Sequence, residues 1–242
     1  MTDRSRVLPT VRMLHTSDVH IAGDDRSQAA LAAVVDLAAE GAVDIVLIAG
    51  DLFDSARVGD DAVDRTIAQL SRLSQPVVVI PGNHDCMDDT SIYHRVALSS
   101  AGDHVHFAGD PAGEELFFED LSLVVWARGI ESHHPLHRPL DGYVPGDPSC
   151  WNVVVTHGHY VPRGERSDRS SPITQDEIAE LACHYLALGH WHRYLDVSEG
   201  EVRAFYSGSP SEPGRDGASV NVVTLDPGTG VRVERRPIGG PT

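Results

Sequence analysis

The sequence predicts an α/β protein, with a parallel sheet and crossover helices in its first half and a second, more antiparallel sheet further along. Three observations point there. From residue 11 to residue 80 the apolar pattern runs strand, helix, strand, helix, strand, an order satisfied by parallel pairing with right-handed crossovers. The strand candidates, such as Ile45-Val46-Leu47-Ile48-Ala49 and Val77-Val78-Val79-Ile80, are short and almost wholly apolar, as strands covered on both faces should be. Beyond residue 115, short β-rich runs separated by turns replace that alternation.

In chain order, Val11 to His15 is a mainly apolar run that ends in Thr16-Ser17-Asp18-Val19-His20. Arg26 to Glu40 follows as a helix, with Leu31, Val34, Val35 and Ala38 on one face and Gly41 as its stop. Ile45 to Ala49 ends in Gly50-Asp51-Leu52-Phe53-Asp54. Asp60 is the expected N-cap of a second helix, on which Val63, Ile67 and Leu70 recur at helical spacing. Pro76 to Ile80 is a strand stopped by Pro81-Gly82, which delivers Asn83, His84 and Asp85 at its carboxyl end.

The middle of the chain is expected to hold a short helix at Tyr93 to Leu98 and strands at Val105 to Phe107, Glu115 to Phe118 and Leu121 to Trp126. The last two make a hairpin turned at Glu119-Asp120. The histidine-rich stretch from Ser132 to Arg138 is expected to form a solvent-facing rim. Trp151 to Thr156 is an apolar run ending in His157-Gly158-His159. Arg163 to Pro172, which carries Arg163, Arg166 and Arg169, then reads as a mobile loop able to bind phosphate oxygens, with Arg163, Arg166 and His159 the first candidates.

Thr174 and Glu177 form a capping box, and Ile173 with Ile178 a hydrophobic staple, so a helix starts there. Tyr185 to Leu188 leads into Gly189-His190-Trp191-His192. Val202 to Ser207, Ser219 to Leu225 and Val231 to Arg235 are strands, with Asp226-Pro227-Gly228 turning the final hairpin, and Pro237 to Thr242 is a frayed tail.

A chain of 242 residues is long enough for one well-buried domain, with its core from about residue 11 to 236. Its formal net charge of -17, from 19 Lys+Arg against 36 Asp+Glu, disfavours a long nonspecific track along nucleic acid, where affinity comes from neutralising phosphates. No secretory h-region and no span of membrane length is evident, so the expected location is the cytoplasm, with no membrane partner. Cys86, Cys150 and Cys183 are odd in number and form no C-x-x-C pair, which argues against a disulfide framework or a thiolate zinc site.

Five apolar runs thus end in residues able to bind a metal: Asp18 and His20, Asp51, Asn83 and His84, His157, and His190 and His192. On an extended backbone positions i and i+2 face the same way, so Asp18 and His20 can reach one ion. The donors are oxygen and imidazole only, which suits Mn, Fe, Zn or Co. Eight side chains are too many for one ion. Two ions sharing a carboxylate, at a separation of roughly 3.5 to 4 Å as in two-metal hydrolytic sites, fit better.

Asp18-Val19-His20, Gly50-Asp51-Leu52-Phe53-Asp54, Gly82-Asn83-His84-Asp85, His157 and Gly189-His190-Trp191-His192 resemble, in order and spacing, the five motifs of the calcineurin-like metallophosphoesterase superfamily. With Arg193 and Tyr206-Ser207-Gly208-Ser209-Pro210 they look most like its SbcD-type DNA-repair exonuclease branch. The resemblance implies a four-layer α/β/β/α sandwich of two mixed sheets and two divalent metal ions, manganese first. It implies that Asp18, His20 and His192 hold one metal, that Asn83, His157 and His190 hold the other, and that Asp51 bridges. His157 is preferred over His159 as ligand because it sits directly at the strand end. His84 is then a general acid or hydrogen-bond donor beside the leaving group, oriented by Asp54.

The activity so implied is metal-dependent hydrolysis of phosphate esters, with phosphodiesters first, in one step by a metal-bridging hydroxide and with no phosphoenzyme. Ser55 and Asp85 stand where protein phosphatases of the superfamily carry Arg and Glu, so a phosphoprotein substrate is not expected. The exonuclease branch continues into a DNA-contacting cap and a segment that docks an ATPase. This chain stops soon after its last predicted strand, and an ATPase partner is not expected. The competing readings are an SbcD-like DNA exo- or endonuclease and a fold-retaining scaffold without catalysis. Retention of the whole ligand set favours an enzyme. No G-x-S-x-G elbow supports a nucleophilic hydrolase.

Overall fold

The computed structural model describes residues 8–239 apart from 133, 135 and 213, so the polar amino terminus through residue 7 and the tail at 240–242 lie outside the described residues. The chain opens with strand β1 (Val11–Thr16), helix α1 (Asp25–Glu40), β2 (Ile45–Ala49), α2 (Asp60–Leu70), β3 (Val77–Ile80) and β4 (Val105–Phe107). It continues with β5 (Glu114–Phe118), β6 (Leu123–Arg128), β7 (Trp151–His157), β8 (His159–Val161), β9 (Pro172–Thr174) and α3 (Gln175–Glu180). The last strands are β10 (Tyr185–Gly189), β11 (Tyr194–Asp196), β12 (Arg203–Ser207), β13 (Ser219–Asp226) and β14 (Gly230–Pro237).

Local chemistry explains most boundaries. The Asp24 carboxylate accepts from Ser27 N–H at 2.8 Å to open α1, and Gly41 N–H donates to the Leu37 carbonyl at 2.8 Å to close it. Asp60 does not cap α2; it is the first helical residue, and Gly59 occupies the cap without a side-chain bond. Thr174 and Glu177 form the expected capping box, and Ile173 and Ile178 are both buried. The helix expected from Tyr93 to Leu98 is instead two 3-10 turns, Ile92–His94 and Leu98–Ala101, because the Ser91 hydroxyl caps the first and extended Ala97 separates them. The three-residue strands β8, β9 and β11 are too short to show a period, so the sequence pattern does not announce them.

The first sheet has the order β14-β13-β1-β2-β3-β4, and the second β11-β12-β10-β7-β6-β5. In the first, β1 to β3 pair in parallel as expected and β4 extends the parallel run, while β13 and β14 add antiparallel pairings. The second sheet is not the more antiparallel one. Its four inner strands β6, β7, β10 and β12 are mutually parallel, and only the edge pairings of β5 and β11 are antiparallel. The long connection from Arg128 to Trp151 brings the chain back to start β7 in the direction of β6, which a hairpin reading does not anticipate.

Alternation along the strands sorts their side chains into three apolar layers. Leu14, Val46, Ile48, Val77 and Val79 pack under α1 and α2. Met13, Ile45, Leu47, Val78 and Ile80 face Val125, Val153, Val155, Ala187 and Phe205 across the space between the sheets. Trp126, Val154, Leu186, Leu188 and Tyr206 pack outward against Ile173 and Ile178. The result is the expected α/β/β/α sandwich, with its fourth layer reduced to the six-residue α3 and loops. Pro237 belongs to β14, and Ile238 N–H donates to the Ala218 carbonyl at 3.0 Å, so the chain is still held past the expected start of its tail.

Candidate metal centre

The carboxyl ends of β1, β2 and β3 meet those of β7 and β10 at one rim of the sandwich. His157 Nδ1 lies 2.8 Å from the Ala49 carbonyl, tying β7 to β2, and His190 N–H donates to the Asp18 carboxylate at 3.0 Å. Gly189 is needed at this seam: a Cβ there would run into the Ala49 carbonyl and the His157 ring.

The loops leaving these strands hold their donors in left-handed backbone. The φ angles are 55° at Asp18, 49° at His20, 53° at Asp51 and 110° at His190, values that non-glycine residues adopt only where surrounding bonds enforce them. Those bonds are present. Asp18, His20 and Ile21 N–H donate to the carbonyls of Gly50, Asp51 and Leu52 at 3.0, 3.0 and 2.9 Å. The Ser209 hydroxyl donates to the Asp18 carbonyl at 2.6 Å, and the Ser211 hydroxyl to that of Val19 at 2.5 Å. Buried Asp85 organises the third loop, accepting from Gly82 N–H at 2.7 Å, Phe53 N–H at 3.1 Å and the Tyr93 hydroxyl at 2.6 Å.

The side chains converge as three overlapping groups, one of them made of His20, Asp54 and His84. Ligand atoms of Asp18, His20 and His192 all lie within 4.8 Å of one another, and so do those of Asp18, Asp51 and His157. Asn83 Oδ1 lies 3.0 Å from His157 Nε2 and 2.8 Å from His190 Nδ1. Asp51 Oδ2 lies 3.4 Å from His157 Nε2 and 3.8 Å from His20 Nε2, histidines of two different groups. His20 and His192 bring their Nε2 atoms to 3.1 Å.

Burial sets the electrostatics. Asp18 and Asp51 are 0% and 1% exposed. Burial first, and then the Asp18 and Asp85 carboxylates, push Asp51 well above the usual carboxylate range. Burial also lowers His20, and burial with neighbouring His157 brings His190 down to about 3, so these imidazoles are neutral with lone pairs available. Two adjacent buried carboxylates among imidazole donors are a place where a divalent cation would balance charge. The oxygen and nitrogen donor set fits such an ion.

His84 stands beside these groups. Its backbone N–H donates to Asp51 Oδ1 at 2.8 Å, its ring lies edge-on to His20 with centroids 4.5 Å apart, and its side chain is exposed at the cleft. Nδ1 is 3.0 Å from the Asp54 carbonyl and 3.6 Å from the Asp54 carboxylate, so the backbone of Asp54 makes the closer contact.

The structure brings two of the phosphate-binding candidates, His159 and Arg166, to one cavity and leaves Arg163 apart. Arg163 Nε pairs with Asp176 at 2.8 Å, on the α3 side of its loop. His159 and Arg166 line a cavity of about 520 Å³ that also touches Trp191, and His159 stacks on Trp191 at 5.4 Å instead of joining Asn83 and Asp51. In the histidine-rich loop, His133 and Pro135 lie outside the described residues and His134 is exposed. His137 does not face solvent as a rim residue should: its Nδ1 bonds Ser171 Oγ at 3.0 Å, and burial lowers its pKa to about 4. Sequence reasoning missed Ser209 and Ser211 as clamps of the first loop, and Arg193 beside the cleft. The adjacency of Arg193 to His192 was the one available signal.

Among the described residues no helix is long and apolar enough to cross a membrane. The sequence profile of the calcineurin-like phosphoesterase family matches residues 11–194. The SbcD component of nuclease SbcCD from Bacillus subtilis (strain 168) is 28% identical over 269 residues, an alignment covering 90% of this chain and 67% of that protein. Purple acid phosphatase PPD1 from yellow lupin (Lupinus luteus) seeds superposes with a TM-score of 0.62 at 14% identity, covering 95% of this chain and 52% of that one. A structure described as a novel archaeal phosphodiesterase gives a TM-score of 0.53 at 13% identity, covering 93% of this chain and 100% of that one. The two structural likenesses are of fold. With the profile match spanning most of its length, this chain belongs to the calcineurin-like phosphoesterase family.

Proposed function

We propose that this protein is a dinuclear metal-dependent phosphoric ester hydrolase acting on phosphodiesters. The observation that carries the reading is that Asp51 Oδ2 lies 3.4 Å from His157 and 3.8 Å from His20, histidines of two different donor groups at converging strand ends, with His84 exposed beside them. Asp18, His20 and His192 would hold one divalent ion, Asn83, His157 and His190 the other, and Asp51 would touch both. Two such ions, manganese first, would acidify a water and offset the charge of the phosphate oxygens.

The protein's own groups supply the rest. The αL backbone of Asp18, His20 and Asp51 fixes the donors before substrate arrives, which saves reorganisation in the reaction. His84, with Nδ1 toward the Asp54 carbonyl, presents Nε2 to the cleft and in its protonated form donates to the leaving oxygen.

The test is hydrolysis of bis(p-nitrophenyl) phosphate, p-nitrophenyl phosphate and DNA by metal-stripped protein reloaded with manganese, with Asp51→Asn alongside. Diester cleavage that the substitution abolishes is the expected result. Silence on all three substrates, with metal bound, would overturn the reading in favour of a scaffold. A nuclease is the second reading, motivated by the relative at 28% identity, and cleavage in the DNA lane would select it.

A further inference from the structure

On the outer side of His190 and His192 lies a cavity of about 440 Å³, large enough for a small ligand. Its lining is Arg169, His190, Trp191, His192, Arg193 and Gly214. Every ionisable side chain in that lining is an arginine or a histidine, on a chain whose formal net charge is -17. The Glu212 carboxylate, 3.5 Å from His192 Nδ1, stays outside the lining.

Some arginines of the molecule are committed to carboxylates and others, these two and Arg166 among them, are not. Arg65, Arg72, Arg95, Arg163 and Arg236 each hold a carboxylate. Among the described residues Arg169 and Arg193 hold none. Arg193 is held another way: its guanidinium sits 4.4 Å from the centroid of the Trp191 ring, which also stacks with His159 at 5.4 Å and 27°. Trp191 lies between two candidate metal ligands in the chain, so this stack anchors Arg193 to the loop carrying His190 and His192. Its planar fork keeps its hydrogen-bonding capacity for a ligand. Arg169 reaches the same cavity from the loop before β9, and it also lines the cavity that holds His159 and Arg166.

We propose that this cavity is a second phosphate subsite: Arg169 and Arg193 grip a phosphate carried by the same substrate as the phosphate at the metal centre. The proposal rests on the phosphoester-hydrolase reading and sharpens its substrate class to molecules bearing at least two phosphate groups. Guanidinium forks suit phosphate, and charge-assisted bonds to one are the strong ones. Two sources share this chemistry, a nucleic-acid strand and a free nucleoside polyphosphate.

The test is equilibrium calorimetry on manganese-loaded protein carrying His84→Asn to slow turnover. The probes are thymidine 5′-phosphate, thymidine 3′,5′-bisphosphate and thymidine 5′-diphosphate. A ligand with the second phosphate should bind roughly tenfold to a hundredfold tighter than the monophosphate. Arg169→Ala and Arg193→Ala should each erase most of that advantage and leave monophosphate affinity unchanged. An advantage for the bisphosphate identifies strand spacing, and one for the diphosphate identifies a polyphosphate. Equal affinity for all three probes, or an advantage that survives both substitutions, overturns the subsite. A failed hydrolysis panel with the two-phosphate advantage intact would count against the hydrolase reading alone.

Discussion

The cleft has two sides built on opposite principles. On the metal-centre side Asp18, Asp51 and His157 are 0–1% exposed, and their loops are pinned by backbone bonds and serine hydroxyls. On the other side Arg166, Arg169 and Arg193 are exposed on loops, and the Trp191 stack on Arg193 is the firmest hold on any of the three. Two buried carboxylates side by side must be neutralised, by protonation or by a cation, and the oxygen and imidazole donors around Asp18 and Asp51 offer a divalent cation its ligands. Exposed arginines carry no such penalty and can change without unfolding anything. On the proposed reading, chemistry and choice of substrate would fall in separate parts of the structure.

This contrast predicts a graded series of effects. Asp51→Asn should cost the most, on the order of 10³-fold in diester hydrolysis, because it would weaken the ligand shared by both ions that are to offset transition-state charge. Retention of rate and of both metals, measured by hydrolysis and elemental analysis, would break the contrast at its centre. Next, His84→Asn should lose roughly 10²-fold on an alkyl phosphodiester and far less on a nitrophenyl ester, because only the alkoxide needs a proton. Equal losses on the two esters would remove the proton-donor role.

Ser209→Ala should act a step further out. Without its bond to the Asp18 carbonyl, metal affinity should fall about tenfold, the usual cost of losing a group that orients a ligand. Titration of manganese into the stripped variant checks this, and an unchanged affinity would mean that the strand ends alone hold the loop. Smallest of all is Arg163→Ala, since that guanidinium faces Asp176 and not the cleft. Steady-state kcat/KM on any accepted diester should stay within about twofold, as for surface substitutions away from special features. A large loss would mean that the loop turns inward on binding substrate.

Much of the inner side was legible in the chain. The five strand-end motifs are local, because an apolar run, a Gly or Pro stop and the polar residue after it are neighbours in sequence. The same holds for the capping box at Thr174 and Glu177, which the structure reproduces. The outer side was not legible. Arg163 and Arg166 looked equivalent to Arg169, and only packing turned one toward Asp176 and left another in the cavity beside His190. The direction of the second sheet was equally hidden, since a β5–β6 hairpin does not reveal that β7 runs parallel to β6.

By itself, then, the sequence determined which donors end which strands and that carboxylate, amide and imidazole were to be gathered without thiolates. Tertiary structure alone decided that His159 turns aside to stack on Trp191, that Asp85 is a buried organiser of its loop, and that Arg169 and Arg193 share one cavity. The physical reason is range. Strand period and turn chemistry act over a few residues, whereas these juxtapositions depend on sheet order and register between segments far apart in the chain.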